Sequence, residues 1–566
     1  MNRRLFLLLL AVLLLIPLGA SAANMFYVSV SEFDPEAGAL LPESGLPRDA
    51  VAMSKVGSKY YLFLPGAANM GALRVWTTGV DEAEVNGKAY HSGDRLPEDA
   101  LVPGETVRVK LARKTYKVQV MQGSEIAAVF VGSASGDMKK IDKTKTYKEA
   151  GDFKMIDPDG AVAYDGALEY VKLRGNTSAQ FNKKGYTVKL AKKTNLAGFG
   201  KAKKYALISN ARDHALIRNQ MVFAMAEYVG LKYTPGCVQA DVYLNHVYNG
   251  TYILQEKVEV GSSRVDIDDL EARTEAVNDR PLSEYAHMGP LKSTAGQMKY
   301  YDIPNDPKDI SGGYLIEYEN WTVRYKDEPC AYTTDRKKAI MLKAPEYASQ
   351  AQMQYISAFI QAYENAIFAE DGIDPGTGKH YTDLMDLDSL ALKYMLEEVC
   401  KNCDGNQSSQ YYYKPADSVS TKMFAGPAWD YDTCFGDYAR TGTRELLNPA
   451  GLYLTTRNSS RYWWPQLYAK ADFVDTVRAR WTAKYLPAMR VLCGLEKDPS
   501  GKLRSVEWYA DAIRDSAAMN FTLWPMRQAS DNIASTGKTF QKNIDYLQNF
   551  VEKRMEYLDS VWGKTE

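Results

Sequence analysis

Asn402-Cys403-Asp404-Gly405-Asn406, the aromatic run Tyr411-Tyr412-Tyr413, and Ala428-Trp429-Asp430-Tyr431-Asp432-Thr433-Cys434-Phe435-Gly436 are the stretches on which the reading of this chain turns. The first follows a helix-like run from Leu387, the second has strand composition, and the third follows another short strand. One aspartate before a strand and two in the turn beyond it suit phosphoryl transfer. One carboxylate can accept the proton of an attacking hydroxyl while others hold Mg²⁺ against phosphate oxygens. Aspartate is equally an ordinary turn residue, and calcium binding or local hydrogen bonding accounts for such loops as readily.

Upstream, Leu173-Arg174-Gly175-Asn176-Thr177-Ser178 ends a strand in a small, hydroxyl-rich turn, and Lys183-Lys184-Gly185-Tyr186 opens the next strand. Exposed amides, hydroxyls and ammonium groups in one turn suit phosphate oxygens; an ordinary hairpin with solvated lysines is the plain alternative. Tyr205 to Ser209 is a short apolar strand, and Asp213 is a good N-cap for a helix running through Leu216, Ile217, Phe223 and Met225 to Gly230. A hairpin follows, with arms Gln239 to Leu244 and Thr251 to Glu256 joined by residues 245–250. Glu256 closes an apolar strand, where an inward carboxylate needs a cationic partner; an exposed edge charge is the other reading. Residues 266–311 are polar and Pro/Gly-punctuated, a long surface loop or flap. Gly313 to Glu317 is a strand, and Ser349 to Ala369, Leu387 to Val399 and Phe540 to Trp562 read as helices.

The amino-terminal hundred residues have another texture. Short β-like runs, Phe26 to Val30, Lys59 to Leu64, Leu73 to Thr77, Val107 to Leu111 and Tyr116 to Met121, alternate with turn residues. That spacing predicts a small β-sandwich over 24–125, Ig-like or cadherin-like, with nothing catalytic in it. Ahead of it, Arg3 and Arg4, the apolar run Leu5 to Leu18 and Ala20-Ser21-Ala22 form a secretory signal over 1–22. As a helix that run reaches only about 21 Å, short of a hydrocarbon core of roughly 30 Å, so cleavage rather than anchoring is expected. No later stretch spans a bilayer, and the product is expected to be secreted, periplasmic or at the cell surface.

Composition removes other classes. Sixty-nine Lys+Arg against 70 Asp+Glu give a net charge of -1, so no global basic field gathers nucleic acid. The 5 histidines, at 91, 214, 246, 287 and 380, form no His-x-x-x-His zinc pair. Six cysteines in 566 residues are too sparse for a disulfide scaffold, and Cys400-Lys401-Asn402-Cys403 is a lone CxxC. Thr536-Gly537-Lys538-Thr539 imitates the tail of a phosphate loop, but Asn532 stands where the first glycine belongs.

Taken in order, Arg174-Gly175-Asn176-Thr177-Ser178, Lys183-Lys184-x-Tyr186, Leu207-Ile208-Ser209-Asn210 with Asp213, Tyr243-Leu244-Asn245 with Tyr248 and Gly250, Glu256-Lys257, Gly312 to Glu317 and Trp429-Asp430-Tyr431-Asp432 resemble the spore coat protein H (CotH) kinase-like family over about residues 165–437. The resemblance implies an α+β fold with an atypical protein-kinase-like catalytic domain over 126–450, preceded by the β-sandwich and followed by a helical extension over 451–566 packed on it. It implies a protein kinase that transfers the ATP γ-phosphate to Ser or Thr of proteins with Mg²⁺ or Mn²⁺, and the leader makes the expected acceptors exported or cell-surface proteins. Lys183 or Lys184 would neutralise ATP phosphates, with Glu256 orienting that lysine. Arg174 and Asn176 would shape the phosphate turn, Asp404 would be the catalytic carboxylate, and Asp430 and Asp432 would bind the metal. Two departures stand out: Gln410 occupies the region where members carry an asparagine as second metal ligand, and His246 replaces a usual hairpin glycine. With ATP scarce outside the cell, a catalytically weak surface protein on a kinase-like scaffold is the alternative, and a carbohydrate-active enzyme using Asp430 or Asp432 is a third.

Overall fold

A computed structural model describes residues 23–32, 45–289, 298–319, 328–333, 336–406, 408–437, 444–456, 462–526 and 539–563. The leader expected over 1–22 and the phosphate-loop imitation up to Lys538 lie outside the described residues. Contacts divide the chain into two compact units: Met1–Met138 with Gly151–Gly166 and Asp241–Gly250, and Lys139–Ala150 with Ala167–Ala240 and Thr251–Glu566.

The first unit is built of strands. Met25–Ser29 lies between Ala50–Ala52 and Arg74–Thr78 in a three-stranded sheet, and a six-stranded sheet runs in the order Ser54–Val56, Lys59–Leu64, Lys114–Gln122, Thr106–Leu111, Glu82–Val85, Lys88–His91. The second pairing in that order, Lys59–Leu64 with Lys114–Gln122, is parallel. Side chains follow the two-residue period of a half-buried strand: Val107, Val109 and Leu111 are buried while Thr106 and Arg108 are exposed. Asn245 and His246 form a two-residue turn with φ of 47° and 72°, between strands Cys237–Leu244 and Val247–Glu256. The joint expected over 245–250 is therefore much shorter, and the ladder extends into it. A residue with a Cβ is strained at such φ, and His246 is held there by its Nδ1 contact to the Ala50 carbonyl at 3.0 Å and by Ala52 N–H donating to its own carbonyl at 2.9 Å.

The second unit is α+β. The end of strand Val162–Arg174 pairs antiparallel with Gly185–Asn195, placing Arg174 opposite Gly185. Gly185–Asn195 pairs with Lys201–Ile208, which pairs with Val247–Glu256, Tyr205 facing Glu256. A second sheet has Tyr314–Tyr318 between Ala339–Ala344 and Gln410–Lys414, with Glu317 opposite both Met341 and Tyr411. The 266–311 segment contributes the helix Leu270–Glu275 and the strands His287–Met288 and Met298–Tyr301, so parts of the expected loop are regular elements.

Helices occupy Arg218–Val229, Gln350–Phe368, Leu387–Cys400 and Phe540–Trp562. Asp213 sits before the first of them rather than at its cap; it accepts from the Ala215 and Arg218 N–H groups at 2.9 Å each, and Gly230 ends the helix at φ 88°. Leu387–Cys400 is buried throughout from Leu390 to Cys400, charged residues included. Those charges are paired, as burial demands: Lys393 with Glu397 at 2.5 Å, and Glu398 with Arg554 of the last helix at 2.8 Å. Arg554 also donates to the Pro449 and Gly451 carbonyls at 2.8 and 2.7 Å. Among the described residues no helix is long and apolar enough to cross a membrane.

Candidate active site

Within the second unit a cavity of about 280 Å³ opens beside the turn that joins Val162–Arg174 to Gly185–Asn195. Arg174, Gly175, Asn176, Thr177 and Ser178 line it. Gly175 has φ 95°, and a Cβ there would stand 2.1 Å from Ser178 Oγ, so only glycine lets the turn fold this tightly. Asn176 Oδ1 accepts from Lys145 Nζ at 2.8 Å, which fixes the turn's far side.

Asp404, Asp430 and Asp432 all reach this cavity, together with Glu317 and Glu319. One buried residue connects the loops that carry the aspartates. Glu397 Oε1 accepts from Tyr431 OH at 2.6 Å and from Lys393 Nζ at 2.5 Å, and its Oε2 accepts from Asn402 Nδ2 at 2.8 Å. Tyr431 lies between Asp430 and Asp432 in sequence, and Asn402 Oδ1 accepts from the Asp404 N–H at 3.1 Å. Tyr431 N–H in turn donates to Asn219 Oδ1 at 2.8 Å, and Arg218 Nε to the Cys434 carbonyl at 2.9 Å. The start of the Arg218–Val229 helix thereby clamps the second loop. Asp430 itself sits at φ 69°, a left-handed conformation for a non-glycine residue, as occurs where surrounding contacts over-determine a functional loop.

Five carboxylates face five cations: Lys145, Arg174, Arg212, Lys257 and Lys343. Water reaches the Asp430 carboxylate from the cavity, yet protein encloses it otherwise. That enclosure, and then the charge of Asp404, push it up to about 6, against the pull of Arg174 and the Ser409 hydroxyl, which donates to its Oδ2 at 3.4 Å. Asp432 is held well above the usual carboxylate range by burial and then by Asp430, with Arg212 opposing. Burial opposes the charge on Lys343, but Glu317 at 3.0 Å and Glu328 at 2.8 Å outweigh it and raise that ammonium. Lys257 differs. Burial first, then the like charges of Arg174 and Lys343, draw it down to about 8.

Lys257, whose charge Glu259 supports only without an ion pair among the described residues, and aspartates that raise one another define a site short of both a negative and a positive guest. The donor set fits a phosphorylated ligand carrying a divalent cation. Among the described residues no three His, Cys, Asp or Glu side chains come close enough to cage a metal by themselves. Two aspartates completed by phosphate oxygens are the usual way a protein holds Mg²⁺. Residues 171–558, more than half of the chain, match the family described as CotH kinase protein. The chain belongs to the CotH kinase family. A search of curated proteins finds no match to it.

In this CotH kinase family member the match runs through the last helix, whose Arg554 is bonded to the Glu398 carboxylate and backbone beside the Asn402–Asp404 loop. Arg174, Asn176, Asp404, Asp430 and Asp432 come together at the cavity. Lys183 and Lys184 do not. Lys183 is buried elsewhere, donating to the Thr251 carbonyl at 2.6 Å and to Asn520 Oδ1 at 2.7 Å with its ammonium 4.6 Å from the Tyr252 ring centroid, while Lys184 closes its own turn on the Ala179 carbonyl at 2.8 Å. Glu256 orients neither lysine; it accepts from Gly236 N–H at 2.6 Å and pairs with Arg264. Successive residues of an extended backbone point to opposite faces, and Lys257, just past the end of the strand at Glu256, lines the cavity where Glu256 does not. Gln410 does not line the cavity either: its strand neighbour Tyr411 does, whereas Gln410 is buried with its Oε1 unpartnered among the described residues.

Lys257, Lys343, Glu317, Glu319, Arg212 and Lys145 are site residues that sequence reasoning missed. The Glu256-Lys257 pair held the signal for one of them, since one of two adjacent strand charges must face each side. The six cysteines are free thiols, and those of the CxxC are buried, Cys403 Sγ lying 3.2 Å from Thr433 Oγ1.

Proposed function

We propose that this protein transfers the γ-phosphoryl group of ATP to serine or threonine of exported proteins. The observation that carries this reading is the gathering of Asp404, Asp430 and Asp432 with Arg174 and Lys257 around one cavity beside a glycine-containing turn. Asp430 and Asp432 would hold Mg²⁺ or Mn²⁺, which when bound supplies positive charge to the phosphate oxygens. Lys257 and Arg174 neutralise phosphate from the side of the sheet, and the Gly175–Ser178 turn offers it amides and hydroxyls. Asp404, on the facing loop, accepts the proton of the acceptor hydroxyl. Lys343, already engaged by Glu317 and Glu328, orders that wall rather than serving as the free cation.

Export by a cleaved leader over 1–22, a sandwich module over 24–125, a catalytic domain over 126–450 and a helical extension over 451–566 belong to the same proposal. Gln410, turned from the cavity, favours a second reading: without that amide as a metal ligand, the protein is a weakly active surface scaffold. Transfer of labelled γ-phosphate to itself or to a serine-rich acceptor separates the two. Asp404→Ala should lower transfer about a hundred- to ten-thousand-fold with its melting temperature retained. Equal labelling by wild type and by Asp404→Ala would dismiss phosphoryl transfer.

A further inference from the structure

Charge is balanced inside the cavity but not along one side of its rim. Residues 139–148 read Lys-Lys-Ile-Asp-Lys-Thr-Lys-Thr-Tyr-Lys, and all five lysines are exposed. The segment is fixed. Ile141 is fully buried, Asp142 accepts from Tyr186 OH at 2.9 Å, and Lys145 at the cavity wall holds Asn176. The basic track continues on the cavity face of the Val162–Arg174 strand, where Lys172 and Tyr170 follow Arg174 at two-residue steps. The ammonium groups of Lys148, Lys172 and Lys189 lie 5.2, 5.7 and 5.9 Å from the Tyr170 ring centroid. Glu169 compensates Lys189 and Lys203, and Glu259 compensates Lys204 at 3.6 Å. Lys140, Lys143, Lys148 and Lys172 make no ion pair among the described residues. Like charge so crowded is stabilised by an anion, and its place beside the turn sets that anion where an acceptor chain would enter.

We infer that the phosphoryl acceptor is an anionic peptide segment, rich in Asp, Glu or phosphoserine around its target hydroxyl, docked along Lys139–Lys148 and Tyr170–Lys172. This rests on the proposed phosphoryl transfer for its purpose but not for its test. Fluorescence anisotropy of the full-length protein would use a serine peptide flanked by glutamates, with glutamine-flanked and lysine-flanked counterparts. The glutamate peptide should bind at least about tenfold more tightly than either, and raising salt should remove the difference. The combined variant Lys139→Glu, Lys140→Glu, Lys143→Glu, none of which lines the cavity, should lose about tenfold for that peptide and leave the thermal shift with ATP and Mg²⁺ unchanged. Preference for the lysine peptide, equal binding of all three, or an undiminished triple variant would overturn the inference. So would tighter binding of a single-stranded oligonucleotide of equal charge. If the glutamate peptide binds as expected but no phosphate is transferred to any acceptor, the docking surface stands and the enzyme reading falls.

Discussion

Lys257 concentrates the argument at the scale of the residue. An ammonium drawn down to about 8 is charged below that pH and loses its charge above it, so phosphate binding weakens as pH rises through the value. The kcat/KM for ATP reports the free enzyme and should fall on an alkaline limb near 8. Lys257→Met should remove that limb and lower kcat/KM at pH 7 by about tenfold or more, checked by initial rates across pH 6–9.5. The alternation that selects Lys257 over Glu256 is a local rule and could be applied to the sequence. That Lys183 turns to Asn520, more than 300 positions away, could not, because nothing near Lys183 records which distant carbonyls await it. Asp404, Asp430 and Asp432 were legible because their loops sit at the ends of strongly patterned elements. Their common cavity depends on Glu397, an unremarkable residue of a helix in sequence.

At the scale of elements, the Leu387–Cys400 helix is the keel of the site. Its Glu397 joins both aspartate loops, and its Glu398 receives the Tyr453 and Leu454 N–H groups at 2.7 and 2.8 Å as well as Arg554. Tyr431→Phe removes one hydroxyl and leaves the Lys393–Glu397 pair in place. Stability should fall by only about 1 kcal/mol, while the Mg²⁺ concentration for half-maximal transfer should rise about tenfold, measured by metal titration at saturating ATP. Arg554→Met leaves Glu398 buried without its cation and should cost about 3 kcal/mol in urea unfolding. An unchanged midpoint would mean that the last helix is only an appendage. Helices were the most legible elements: Phe540–Trp562 carries its apolar stripe in the sequence, while the structure adds its Thr539 cap and the capping box of Ser349 with Gln352 on the helix Gln350–Phe368. Strand partners were less so, since pairing is set by contacts far along the chain, and the parallel pairing of Lys59–Leu64 with Lys114–Gln122 has no local signature.

For the whole molecule, the near-neutral total hides a division of labour: 69 basic and 70 acidic residues cancel overall, and the cavity balances its own five and five, while the Lys139–Lys148 rim does not. On the proposed reading, such a site is silent until a guest brings both a polyanion and a dication. The most direct test is therefore calorimetric titration of ATP into the full-length protein with and without Mg²⁺. Binding should require the metal, weaken at least about tenfold in Lys257→Met, and lose its metal dependence in the Asp430→Asn, Asp432→Asn double variant. No heat at millimolar ATP, or equal binding by wild type and these variants, would contradict the account.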